Sequence, residues 1–157
     1  MNKKIELRFV ILALMLIFVG LCVGHVSKNF VLRQYDAARL ASFARRIADA
    51  DRIVGTYPKT SVSLTFTGDN ARKAIHAVSS SVSARMPNSE FACLYDVTAT
   101  FYKGANALGE IKMCDSLFLL NHNQPPFADV SGFLVPFVYT PVQDARREFY
   151  STNNETK

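Results

Sequence analysis

Cysteine and histidine are scarce and scattered. The chain has three of each. None stand as C-x-x-C, H-x-x-x-H or an EF-hand loop, which excludes the common zinc and calcium motifs. A phosphate loop of the form G-x-x-x-x-G-K-[ST] is also missing. The nearest approach is Thr67 to Lys73, TGDNARK, where Arg72 and Lys73 at a helix start would attract an anion but Asp69 would repel it. Capping of a helix explains that stretch better. No catalytic signature is present, no cofactor is expected, and the chain reads as non-enzymatic. Tryptophan is absent, yet 12 Phe and 6 Tyr in a chain that is 49% hydrophobic supply the apolar content a core needs.

One further absence sets the architecture. From Phe9 to Ser27, FVILALMLIFVGLCVGHVS, there is no Lys, Arg, Asp or Glu. At about 1.5 Å per residue a helix of this length nearly spans a hydrocarbon core of about 30 Å. Residues 1–8 form a basic flank, 9–27 a transmembrane anchor. A cleaved signal peptide competes, but the apolar run exceeds the usual h-region of about 7–15 residues and lacks an A-x-A site. A lipid-modified Cys22 fails because Leu21 precedes it. Gly20 and Gly24 form G-x-x-x-G, which reads either as a helix–helix contact or as chance spacing.

The net charge of +5 does not make a nucleic-acid surface. The basic excess lies on both sides of the apolar run, in residues 1–8 and 28–52, whereas beyond Arg52 there are nine charges of each sign. This placement suits anionic lipid headgroups and argues against nucleic acid. For orientation the signals conflict. More Lys and Arg follow the span than precede it, which favours a cytoplasmic domain. A short basic N-terminus before an apolar run is the usual signal-anchor arrangement, and this reading, with the C-terminal domain outside the cytoplasm, is preferred.

Residues 28–53 read as an amphipathic stalk helix with Ala37, Leu40, Ala41, Ala44, Ile47 and Ala48 on one stripe. Residues 54–150 read as one α+β domain, and 151–157 as a disordered polar tail. Within the domain, Thr60 to Thr67 alternates as a strand. Asp69 is a candidate N-cap for a helix carrying Ala71, Ala74, Ile75, Val78 and Val82 to about Ser83. Phe91–Tyr102 and Leu108–Leu120 form a hairpin, Phe133–Tyr139 a third extended run at an edge or bulge, and Pro141 opens a closing helix, Val142–Tyr150. The expected fold is therefore a transmembrane helix and stalk helix followed by a small, mainly antiparallel sheet of about four strands with one or two packed helices.

Chemistry-bearing residues are few. Cys93 and Cys114 fall on the two arms of the hairpin and are open to two readings, a disulfide or two buried thiols. The register that pairs Val97, Ala99 and Phe101 with the apolar residues of the second arm sends the two cysteines to opposite faces, and a bulge is needed to reconcile them. Asn121, His122, Asn123 and Gln124 crowd hydrogen-bonding groups before two prolines, either a binding loop or an ordinary connection. His76 falls on the polar side of its helix. Tyr102, Phe118 and Phe127 are candidate exposed aromatics.

The leading expectation is a membrane-tethered interaction domain. Its partners are membrane lipid, an unknown envelope protein, and a second copy through the transmembrane and stalk helices. The alternatives are an exported hydrolase built from Cys and His or from Asp96, Glu110, Asp115 and Asp129, and a domain that binds a small ligand or lipid in a Phe-rich interior.

Overall fold

The computed structural model describes residues 3–58, 60, 62–84, 96–120 and 125–154. It forms two compact units, Met1–Asp36 and Ala37–Lys157.

The first unit belongs to helix α1, Lys3–Ile47, which has no proline to interrupt it. Over Ala13–Ile47 this helix is long and apolar enough to cross a membrane, a property that a signal sequence shares. Leu14, Met15, Leu16, Phe18 and Leu21 all point outward and are more than 60% exposed. A helix that is apolar on every side, as this one is, calls for an apolar surrounding.

The second unit is α+β. A seven-stranded sheet has the order β2-β1-β4-β5-β6-β7-β3. Its strands are β1 (Arg52–Thr56), β2 (Ser63–Thr67), β3 (Val82–Ser83), β4 (Val97–Lys103), β5 (Asn106–Cys114), β6 (Leu117–Leu119) and β7 (Phe127–Ala128), with every pairing antiparallel. Helix α2 (Gly68–Ser79) follows β2. Helix α3 (Thr140–Asn154) closes the chain after a π-helical turn, Val135–Tyr139.

One face of the sheet carries the core. Directly opposed residues share a face, so Ile53, Phe101, Ala99, Val97, Ile111, Met113, Phe118 and Phe127 line up across five strands and are all buried. Ala71, Ala74, Ala77 and Val78 of α2 and Val142 of α3 complete this core, as do Leu40, Phe43 and Ile47 from the end of α1. Phe43 meets Phe101 edge-on at 6.1 Å, and Phe118 stacks on Phe127 at 5.7 Å. The opposite face carries Thr56, Thr65, Thr98, Thr100, Glu110 and Lys112, none of them fully buried.

Several expectations change. The strand count rises from about four to seven: β1 falls where the stalk helix is expected to end, β3 and β7 are too short to carry a period, and β6 splits off the run Leu108–Leu120. The buried stripe at the end of α1 is Leu40, Phe43 and Ile47, whereas Ala37, Ala41 and Ala48 are exposed. The Phe43 ring buries more apolar area than any one alanine methyl, and placing it inward turns the helix by about one residue. Helix α2 stops at Ser79, and Val82, half exposed, belongs to β3. Its N-cap is Thr67, with no side-chain cap bond, while Asp69 pairs with Arg72 at 2.7 Å inside the first turn. Gly68, at φ 60, makes the abrupt passage from strand to helix.

The run Phe133–Tyr139 is helical over Val135–Tyr139. Proline at 141 has no N–H, and in an α-helix its ring would meet the carbonyl four residues back. The chain widens instead, and the Thr140 N–H donates to the Val135 carbonyl five residues earlier.

The hairpin keeps the apolar register: Val97 faces Met113, Ala99 faces Ile111, and Phe101 faces Gly109. Lys103 nevertheless pairs with Asn106, leaving a two-residue turn. A register shift between Phe101 and Tyr102 absorbs the extra residue of β5.

Candidate functional site

One cluster of polar side chains of the folded unit forms where the start of β4 meets α3. Asp96 stands just before Val97. Its Oδ2 accepts a hydrogen bond from Gln143 Nε2 at 2.7 Å, and its Oδ1 accepts one from the Tyr139 hydroxyl at 3.3 Å. The Arg146 guanidinium lies 3.8 Å from the same carboxylate and donates to Gln143 Oε1 at 3.1 Å. It also covers the ring of Tyr57, 4.2 Å from its centroid, and lies 5.7 Å from that of Tyr150. Both geometries suit a cation–π contact.

Three separate stretches of chain therefore meet around Asp96 and Arg146: Tyr57 just after β1, Asp96 at the start of β4, and Tyr139, Gln143 and Arg146 of the last helical segment. The Asp96 side chain keeps 22% exposure and that of Arg146 34%. The Tyr139 phenol is pushed above its ordinary value of 10.0, chiefly by burial and then by the charge and hydrogen bond of Asp96. A backbone hydrogen bond from Asp115 and the Gln143 side chain act the other way. The phenol is thus a neutral donor at ordinary pH. A carboxylate with both oxygens engaged and a neutral phenol make a clamp that ties the helix to the sheet.

The sequence singled out Asp96 but not its partners. Tyr139, Gln143, Arg146 and Tyr150 recur at steps of four, three and four, which places them on one helical face. That stripe is legible only with Val135–Tyr139 helical.

The other acidic candidates are dispersed. Glu110 is exposed in the middle of β5, opposite Thr100. Asp115 occupies the β5–β6 turn at φ 53, a left-handed conformation that aspartate tolerates. Asp129 is buried and caps the chain entering the last helix: Oδ2 accepts from the Leu134 N–H at 2.7 Å, and Oδ1 accepts from the Ser131 N–H and hydroxyl. His76 is exposed on α2. Among the described residues no group of three or more His, Cys, Asp or Glu is placed to hold a metal.

The aromatic candidates change roles. Phe118 and Phe127 are buried in the core, because their strands present them to the helix-covered face. Tyr102 is half-buried with the Arg52 guanidinium 5.0 Å from its ring centroid. Cys114 ends β5 and is half-buried, on the face opposite Met113. Cys93 lies outside the described residues, as do Asn121, His122, Asn123 and Gln124. Gly20 and Gly24 are exposed on α1, with open space where a Cβ would stand.

A second feature is the margin of the sheet at β2. This strand has β1 as its strand neighbour and ends the sheet order. Ser63, Thr65 and Thr67 are exposed, and Leu64 and Phe66 are half-buried.

The chain matches no known protein family, no curated protein and no solved structure.

Proposed function

We propose that this protein is a single-pass, signal-anchored membrane protein whose α+β domain stands outside the cytoplasm and acts in protein interaction rather than catalysis. The observation that carries the reading is the run of outward-facing Leu14, Met15, Leu16, Phe18 and Leu21 within a helix that continues unbroken to Ile47. Exposed side chains of that size suit lipid, and an apolar run longer than the usual h-region of about 7–15 residues, without an A-x-A site, favours an anchor that stays attached over one that is cleaved. The basic residues flanking the span suit anionic lipid headgroups.

In the folded domain the Asp96 cluster has its hydrogen-bonding capacity turned inward, as a structural joint does. An interaction role for the Asn121–Gln124 loop with another envelope protein, and a contact between copies through Gly20 and Gly24, belong to the same proposal. So does a disulfide between Cys93 and Cys114, which an exported domain allows. Its support is that Cys22 is the free cysteine among the described residues and Cys114, also described, is not.

Two reporters fused in turn to the C-terminus test the reading, one active only outside the cytoplasm and one only inside. The expected result is activity of the outside reporter on a product that keeps its N-terminal segment. An inside signal overturns the orientation, a shortened product overturns the anchor, and substrate turnover by the purified full chain overturns the non-enzymatic role.

A further inference from the structure

Among the described residues, the margin of β2 away from β1 has no strand partner. Tyr57 N–H donates to the Val62 carbonyl at 3.2 Å, which makes Tyr57 and Val62 a hydrogen-bonded pair of the β1–β2 ladder. Antiparallel ladders alternate, so Leu64 and Phe66 direct their backbone groups toward β1, while Ser63, Thr65 and Thr67 direct theirs away from it, to the open side. Proteins usually guard such an edge with lysine, proline or a bulge. From Thr60 to Gly68 the sequence has no charge and no proline, and the β1–β2 register runs without a shift. The other margin, β3, is only two residues long.

The strand is also complementary to itself. Antiparallel pairing of two copies about an axis through Thr65 sets Thr65 against Thr65, Ser63 against Thr67, and Leu64 against Phe66. Those first two pairings join the residues whose backbone groups point outward, so the new ladder forms from free donors and acceptors. The third sets an aliphatic side chain against an aromatic one on the core face, a favourable cross-strand pair, at two residues that the single copy leaves half-buried. No like charges face each other.

We propose that β2 is a homodimerisation edge, occupied by β2 of a second copy in this register, so that two seven-stranded sheets join into one. The inference rests on the membrane-anchored reading for one of its terms. Anchoring in a common bilayer raises the local concentration of copies, as a tether does, and makes a short interface sufficient.

Full-length protein in native membranes, with Cys22 replaced by Ser, tests it. Thr65→Cys is oxidised with copper phenanthroline beside Ser79→Cys, an exposed site on α2 that reports random collision. A disulfide-linked dimer at position 65, formed at least tenfold faster than at 79, is expected. Thr65→Pro removes an N–H that β1 does not use, and Thr65→Lys opposes like charges at the axis. Each variant should still unfold cooperatively and, in the same membranes, lower disulfide cross-linking between a Ser63→Cys copy and a Thr67→Cys copy at least tenfold.

Equal cross-linking at 65 and 79 overturns the proposal, as does cross-linking between positions 63 and 67 that survives both substitutions. Because topology is read by separate reporters, failure of the edge pairing is distinguishable from failure of the anchored reading.

Discussion

The Phe43 ring occupies the space that a side chain at Gly109 would need: a Cβ built there falls 2.7 Å from Phe43 Cε2 and 3.4 Å from Ile47 Cγ2. The glycine is thus the seat on β5 that lets the end of α1 lie against the sheet. Gly109→Ala should destabilise the domain by about 1–3 kcal/mol through overpacking. Chemical denaturation of the full-length protein in detergent measures this, and Phe43→Leu added to Gly109→Ala should recover part of the loss.

Asp96 should matter to the attachment of α3 more than to any chemistry. Asp96→Ala leaves the Gln143 amide and the Tyr139 hydroxyl without their acceptor, at a cost of about 1.5–3 kcal/mol for hydrogen bonds to a charged group. Hydrogen exchange should speed up first in Thr140–Asn154, while β4 and β5 stay protected.

Tyr139 gives the fold an alkaline limit. Its raised value means that the folded state holds the phenolic proton more tightly than the unfolded chain. The stabilisation is complete below about pH 10 and fades as pH rises through the folded-state value. Tyr139→Phe should therefore flatten the fall in thermal midpoint above about pH 10, with the two proteins compared from pH 7 to pH 11.

Asp129 supplies the acceptor at the start of the closing helical segment. Asp129→Ala should cost about 0.5–2 kcal/mol, the range for a lost N-cap. Asp129→Asn, which keeps an acceptor oxygen, should cost less. Denaturant midpoints of the two variants separate the cases.

The state of the cysteines can be counted directly. Unfolded, unreduced protein prepared from the membrane should show one reactive thiol, at Cys22, and all three only after reduction. Cys114→Ser should lower stability by about 2–4 kcal/mol, the usual range for a lost disulfide. Three thiols before reduction would show that Cys93 and Cys114 are not joined.

The parts of the fold that were legible in the sequence are those where one periodicity acts alone. Val62, Leu64 and Phe66 alternate cleanly, with Leu64 and Phe66 on the inner side of β2 and Val62 just before it, and Ala71, Ala74 and Val78 mark the buried side of α2. The β4–β5 pairing was legible from its apolar faces, although the compensating shift near Phe101 was not, because turn and register each admit solutions that only the packed sheet selects.

Strands such as Val82–Ser83 and Phe127–Ala128 are too short to carry a period. The run from Phe133 to Tyr139 is apolar enough to pass for a strand, with Pro136 at an edge or bulge, because a stretch that short and apolar carries neither period. The Asp96 cluster was invisible for a simpler reason: its members lie 43 to 50 residues apart in sequence, and no local pattern joins Tyr139, Gln143 and Arg146 to a carboxylate on another element.

The wide turn at Val135–Tyr139 also sets the phase of everything after it. A π-helical turn holds one residue more than the α-helical turn it replaces, and one residue corresponds to about 100° of rotation. If the turn closed to α geometry, α3 would rotate by that angle about its axis, carrying Gln143 and Arg146 away from Asp96 and Val142 away from its contact over Gly55. Pro141 thus acts as a rotational index: by forbidding the tighter winding, it fixes which side of the last helix faces the sheet.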